Sequence, residues 1–150
     1  MKSKFFLATC ILAVSSTFPH FGWAASLDVH SPVGHWKTID DKTGKPRSIV
    51  EVFQQDGKLF GRIERSLAPD AQTTCTKCTD ERKGQAIAGM VFMRNLKASG
   101  EEFIDGEILD PENGTTYRCK IRLEEGGHKL VVRGYVGVAL FGRSQSWERQ

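Results

Sequence analysis

Between Thr115 and Glu124 the chain alternates: Tyr117, Cys119, Ile121 and Leu123 are interleaved with Arg118, Lys120, Arg122 and Glu124. A side-chain repeat of two belongs to a strand with one buried and one wet face. No comparably long segment has the 3.6-residue repeat of a helix. Turn chemistry cuts the rest of the chain into similar runs, since Asp56-Gly57, Ser99-Gly100, Pro111-Glu112-Asn113-Gly114 and Gly126-Gly127 each separate two strand-like stretches. The pattern predicts eight strands, at 33–40, 47–55, 58–66, 87–94, 102–109, 115–124, 129–136 and 141–149, joined mostly by short turns into an antiparallel meander.

A meander of eight strands leaves two exposed edges unless its first and last strands pair. The expected fold is therefore all-β, an eight-stranded antiparallel up-and-down barrel. Gly61, Gly106, Gly134 and Gly137 lie in or at the ends of strands, where small residues let a sheet curl tightly. A barrel of this size is filled by its own side chains or holds one small ligand, and the alternation alone does not choose between the two.

The first 24 residues read as an address. Lys2 and Lys4 precede the apolar run Phe5 to Val14, and Gly22-Trp23-Ala24 places small residues at −3 and −1 of a cut after Ala24, the pattern of a secretory signal peptide. The run is about half of the roughly 20 residues a membrane-spanning helix needs, and residues 25–150 contain nothing as continuously apolar. Leu7-Ala8-Thr9-Cys10 resembles a lipidation signal, but Thr9 is a poor residue before a lipidated cysteine. The expectation is an exported protein, periplasmic or extracellular, with a single domain at 25–150 and no transmembrane segment after cleavage. The leader holds two lysines and no acidic residue, so of 21 basic residues 19 remain against 18 acidic ones. That balance leaves no electrostatic footprint for nucleic acid.

Meander topology sorts the connections onto two rims. One rim carries only the short turns at 56–57, 98–101 and 125–128; the other carries the connections at 40–46, 67–86, 110–114 and 136–140. A connection of about 20 residues is uncommon in a compact domain and is often functional or pinned. A site is expected at the second rim, where Arg47, Asp110, Tyr117, Arg143 and Gln145 are the candidate polar contacts. Asp110 also reads as a cap for its own turn.

Gly34-His35-Trp36 on the first strand resembles the Gly-x-Trp signature of lipocalin-type barrels, whose last strand lays an arginine over the tryptophan. In an even-numbered meander the last strand returns beside the first, so Trp147 and Arg149 should approach Gly34 and Trp36 and plug the base of a lipocalin-like barrel. Longer runs, at 32–41 (Pro-Val-Gly-His-Trp-Lys-Thr-Ile-Asp-Asp), 108–117 and 132–143, resemble the exported bacterial family called domain of unknown function 2147. That resemblance implies an exported barrel related to the lipocalins and carries over no catalytic residue.

Cys75, Cys78 and Cys119 remain after cleavage, in a compartment where pairing is expected. Cys75 and Cys78 can close as a loop clip, serve as a redox pair, or offer thiolates to zinc with Cys119 as a third. The alternation puts Cys119 inward, as a buried small apolar residue. His30, His35 and His128 are too scattered by the topology to build a metal site. No nucleophile elbow, phosphate loop or zinc-protease motif occurs, and Asp105 and Glu107 share a wet strand face rather than a cavity. The chain thus reads as a binding module for a small, apolar or amphipathic molecule, without enzymatic activity or cofactor. The alternatives are a structural or protein-interaction module with a filled barrel, and a thiol or metal protein acting through Cys75 and Cys78.

Overall fold

A computed structural model describes residues 28–150; the predicted leader at 1–24 lies outside the described residues. The elements are β1 Gly34–Ile39, β2 Pro46–Gln55, β3 Lys58–Ser66, β4 Val91–Ser99, β5 Glu102–Asp110, β6 Thr115–Glu124, a 3-10 turn Glu125–Gly127, β7 Lys129–Tyr135 and β8 Gly142–Arg149. Every strand is antiparallel to the next, and β1 closes on β8 through Trp36↔Arg149, Lys37↔Glu148 and Thr38↔Trp147. The sheet is a closed eight-stranded barrel, as the alternation and the need to bury two edges require.

Seven strands lie within a residue or two of their predicted spans. The fourth does not: it occupies Val91–Ser99 instead of 87–94. Ile87 belongs to the preceding connection, where its N–H donates to the Thr73 carbonyl, and Gly89 turns the chain in the left-handed region. At the far end Asn95 adopts a positive φ, which asparagine tolerates, and the strand runs on to Ser99.

The lower half of the barrel is filled. Trp36, Val52, Leu96, Ile121 and Leu130 are fully buried there. Gly106 is part of this packing, because a Cβ on it would come within 2.5 Å of Leu96 and 2.9 Å of the Cys119 sulfur. The base is sealed by residues 28–33. The Trp36 indole N–H donates to the Pro32 carbonyl at 2.9 Å, and the Arg149 guanidinium stands 4.3 Å from the centre of the Trp36 ring while donating to the carbonyls of Ser31, Val33 and Gly127. The outer wall is charged, with cross-strand pairs Lys37–Glu148, Arg62–Glu51, Arg118–Asp105 and Lys120–Glu102. That is the opposite of the apolar belt a membrane-spanning barrel presents.

The connection between β3 and β4 folds back onto the wall. Cys75 and Cys78 form a disulfide and are both buried, and Gly114 sits so close beneath this clip that a Cβ would reach within 2.0 Å of the Lys77 carbonyl. Arg82, only 4% exposed, pins the connection: it holds the Asp80 carboxylate and donates to Val91 O on β4 and Thr116 Oγ1 on β6. The guanidinium lowers the Asp80 pKa from 3.8 to about 2. A carboxyl whose folded pKa is depressed contributes stability above its unfolded value and loses it as pH falls toward the folded value. Corrected amide-exchange protection of residues 73–87 is therefore expected to fall between pH 4 and pH 2 ahead of the barrel strands. Equal loss in strands and connection would show that Asp80–Arg82 does not hold this segment.

Candidate functional site

The upper half of the barrel is open. A cavity of about 600 Å³ descends from the rim formed by residues 40–45, 111–114 and 136–141, and lies within the range of small-molecule sites. Its depth is apolar, walled by Ile63, Phe92, Ile108 and Val132 and floored by Trp147. Phe92 owes its place to a bulge. The register passes from Gly61↔Met93 to Arg62↔Val91, leaving Phe92 without a partner on β3, and both Phe92 and Met93 are buried. The Phe92 ring lies 6.1 Å from that of Trp147.

Polar groups gather toward the mouth. Arg143 lines the cavity from β8, and its guanidinium grips the Asp41 carboxylate of the β1–β2 turn. The hydrogen bond from Arg143 holds the Asp41 carboxyl below its ordinary range, and Asp41 in turn raises the guanidinium pKa. Across the mouth, Asp110 accepts the Glu112 N–H and the Asn113 side-chain amide, which also donates to the Tyr117 hydroxyl at 3.1 Å. Asp110 thus caps its own turn and lines the cavity. Burial pushes its carboxyl up, against the lowering effects of the Asn113 backbone hydrogen bond and the nearby Arg143 charge. Deeper in, the Trp147 indole N–H donates to Gln145 Oε1, which orients the amide with its NH₂ as the remaining donor.

Asp110, Tyr117, Arg143 and Gln145 therefore meet around one cavity. Arg47 does not join them. Ser48, its neighbour on β2, takes the inward position and lines the cavity beside Thr38, while Arg47 is engaged by Glu112 in a separate shallow depression with Asp70, Gln72 and Lys77. Trp147, assigned to the base with Trp36, sits one layer higher as the cavity floor. Gly34, Trp36 and Arg149 remain at the base.

Cys119 faces the interior from β6, fully buried, and burial pushes its thiol up to about 12. Cys75 and Cys78 are bonded to each other and Cys119 is a free thiol, so the three sulfurs do not act as one ligand set here. Among the described residues no three His, Cys, Asp or Glu side chains gather as a metal site.

Two features escaped the sequence reading. The apolar cavity wall is contributed singly by separate strands, and no short motif contains it. The connection after β7 carries Val136, Val138, Leu140 and Phe141 exposed at the rim. Arg133 fixes it, donating to the carbonyls of Ala139 and Leu140.

The family model described as "Uncharacterized protein conserved in bacteria (DUF2147)" matches residues 34–149. No curated protein matches the chain. Among solved structures, the barrel is similar to one described as "Protein HP1028 from the human pathogen Helicobacter pylori belongs to the lipocalin family", with a TM-score of 0.70 and 18% sequence identity, covering 80% of this chain and 83% of that one. At this identity the likeness is one of fold.

Proposed function

The chain belongs to the bacterial family of uncharacterised conserved proteins DUF2147, and from the cup in its barrel we propose that it binds one small amphipathic molecule in the cell envelope. The observation that carries this reading is the cavity of about 600 Å³, apolar in its depth and polar at its mouth. An apolar body would lie against Ile63, Phe92, Ile108, Val132 and Trp147, gaining roughly 25 cal/mol per Å² of buried surface before ordering costs. A polar end would meet Arg143, Gln145, Tyr117 and Asp110. The likeness to a barrel described as a lipocalin supports the reading, because lipocalin barrels can hold one small ligand. Export, and with it a single mature domain at 25–150, is part of the proposal: residues 1–24 have the composition of a leader, and the Cys75–Cys78 disulfide suits an oxidising compartment.

Protein purified from the envelope of a producing bacterium is expected to carry a bound molecule. Native mass spectrometry should show a mass excess that solvent extraction removes, and the emptied protein should take up an environment-sensitive fatty-acyl probe with saturable one-to-one stoichiometry. Absence of both a co-purified molecule and saturable uptake would leave the cup without a ligand and overturn the proposal.

A further inference from the structure

We propose that the rim bearing the β7–β8 connection docks on an anionic lipid surface. The connection exposes four apolar side chains in six residues, with Leu140 at 79% and Phe141 at 75% of full exposure. A rim this apolar on a barrel whose wall is charged marks a contact surface. It is not loose chain. Arg133 holds the carbonyls of Ala139 and Leu140, and the Phe141 N–H closes a turn on Val138 O, so the apolar side chains stay presented outward.

Charge complementarity selects the occupant. β8 is paired to β1, and the Arg143–Asp41 contact ties this connection to the β1–β2 turn, so the turn that carries Lys42 and Lys45 lies on the same rim as the apolar tip. Both lysines are exposed and neither is held in an ion pair among the described residues. Of the acidic neighbours Asp41 is neutralised by Arg143, and Asp40 keeps its charge while accepting three hydrogen bonds within its own turn, so the two lysines leave this corner with a positive excess of one. Apolar side chains flanked by free lysines match the boundary between acyl chains and anionic headgroups. Val136, Leu140 and Phe141 also line the cavity, so a docked barrel would open its mouth onto the lipid. Docking needs no molecule in the cup, and probe uptake measured without vesicles keeps the two ideas separable.

The test is cosedimentation of the purified protein, processed as the producing bacterium leaves it, with vesicles of phosphatidylcholine alone or mixed with phosphatidylglycerol. Binding to the mixed vesicles is expected, weakened at least about tenfold by Leu140→Glu with Phe141→Glu. Lys42→Glu with Lys45→Glu should weaken it by about fivefold per lysine on mixed vesicles and little on neutral ones. Lys97→Glu, one such charge reversal at the opposite end of the barrel, should leave it unaltered. Circular dichroism and the thermal midpoint verify each fold, and the lysine pair decides the matter if the loop variant fails to fold. Absence of vesicle binding, or equal loss with Lys97→Glu, overturns the proposal. So does a dimer in light scattering that dissolves in the Leu140→Glu variant, since the rim would then be covered by a second copy of this chain.

Discussion

Trp36→Ala is expected to lower the unfolding free energy by about 3–5 kcal/mol, a large share of the roughly 5–15 kcal/mol that holds a domain folded. The indole has no exposed surface and does three jobs at the base. It fills the narrow end of the barrel, its N–H satisfies the Pro32 carbonyl, and its face carries the Arg149 guanidinium at 4.3 Å. Removing it leaves a void and an uncovered guanidinium still tied to Ser31, Val33 and Gly127, in surroundings whose burial already lowers its pKa. Trp36→Phe keeps most of the apolar area and loses the N–H donor, so about 1–2 kcal/mol should go. Urea unfolding followed by circular dichroism reads both values, with the slope unchanged for a two-state barrel. A double-mutant cycle with Arg149→Ala should return a coupling of about 0.5–2 kcal/mol. If Trp36→Ala unfolds within error of the parent, the base is held by something other than this stack.

The barrel was legible because its information is local. Alternation sets which side chains face in, Asp-Gly and Gly-Gly pairs mark where strands reverse, and edge closure follows from burying two rows of backbone groups. The fourth strand starts later than predicted because Ile87-Ala88-Gly89-Met90 has strand composition, whereas its backbone is committed to Thr73 in the neighbouring connection and to Ile63 on β3. Composition does not reveal a partner some fourteen residues away. The cavity was legible only in part. Rim residues could be sorted by topology, and Asp110, Tyr117, Arg143 and Gln145 do line the cup. Arg47 is near the rim in the sequence, but its parity keeps it out of this cavity: Ser48 faces in, so Arg47 faces away. Phe92 was invisible for the converse reason, since a bulge breaks the parity that sequence reasoning relies on. Arg82 shows only its Asp80 neighbour locally, because its partners on β4 and β6 meet it only in the folded chain.

The second large effect separates the cup from the fold that contains it. Gly134→Phe is expected to lower affinity for a fatty-acyl probe by about a hundredfold, as steric exclusion from a preformed pocket would, while the barrel stays folded. Gly134 faces the cavity from β7, opposite Arg143 in register. A Cβ there would meet only ordinary contacts, 3.7 Å from Ile108 and 3.8 Å from Tyr117, unlike Gly106 with its 2.5 Å approach to Leu96. Its φ is not in the left-handed region, so a side chain adds no backbone strain. Glycine inside a strand costs about 0.5–1 kcal/mol through backbone entropy, and an aromatic residue suits a pleated, half-buried surface. The variant should therefore unfold at or slightly above the parent midpoint. Its ring has one place to go, the space between Ile108, Tyr117 and Arg143 where the proposed ligand would sit. Loss of probe uptake with stability retained would put the ligand inside the barrel. Undiminished uptake would place binding elsewhere, because a molecule lying in the cup could not ignore a phenyl ring standing in its middle.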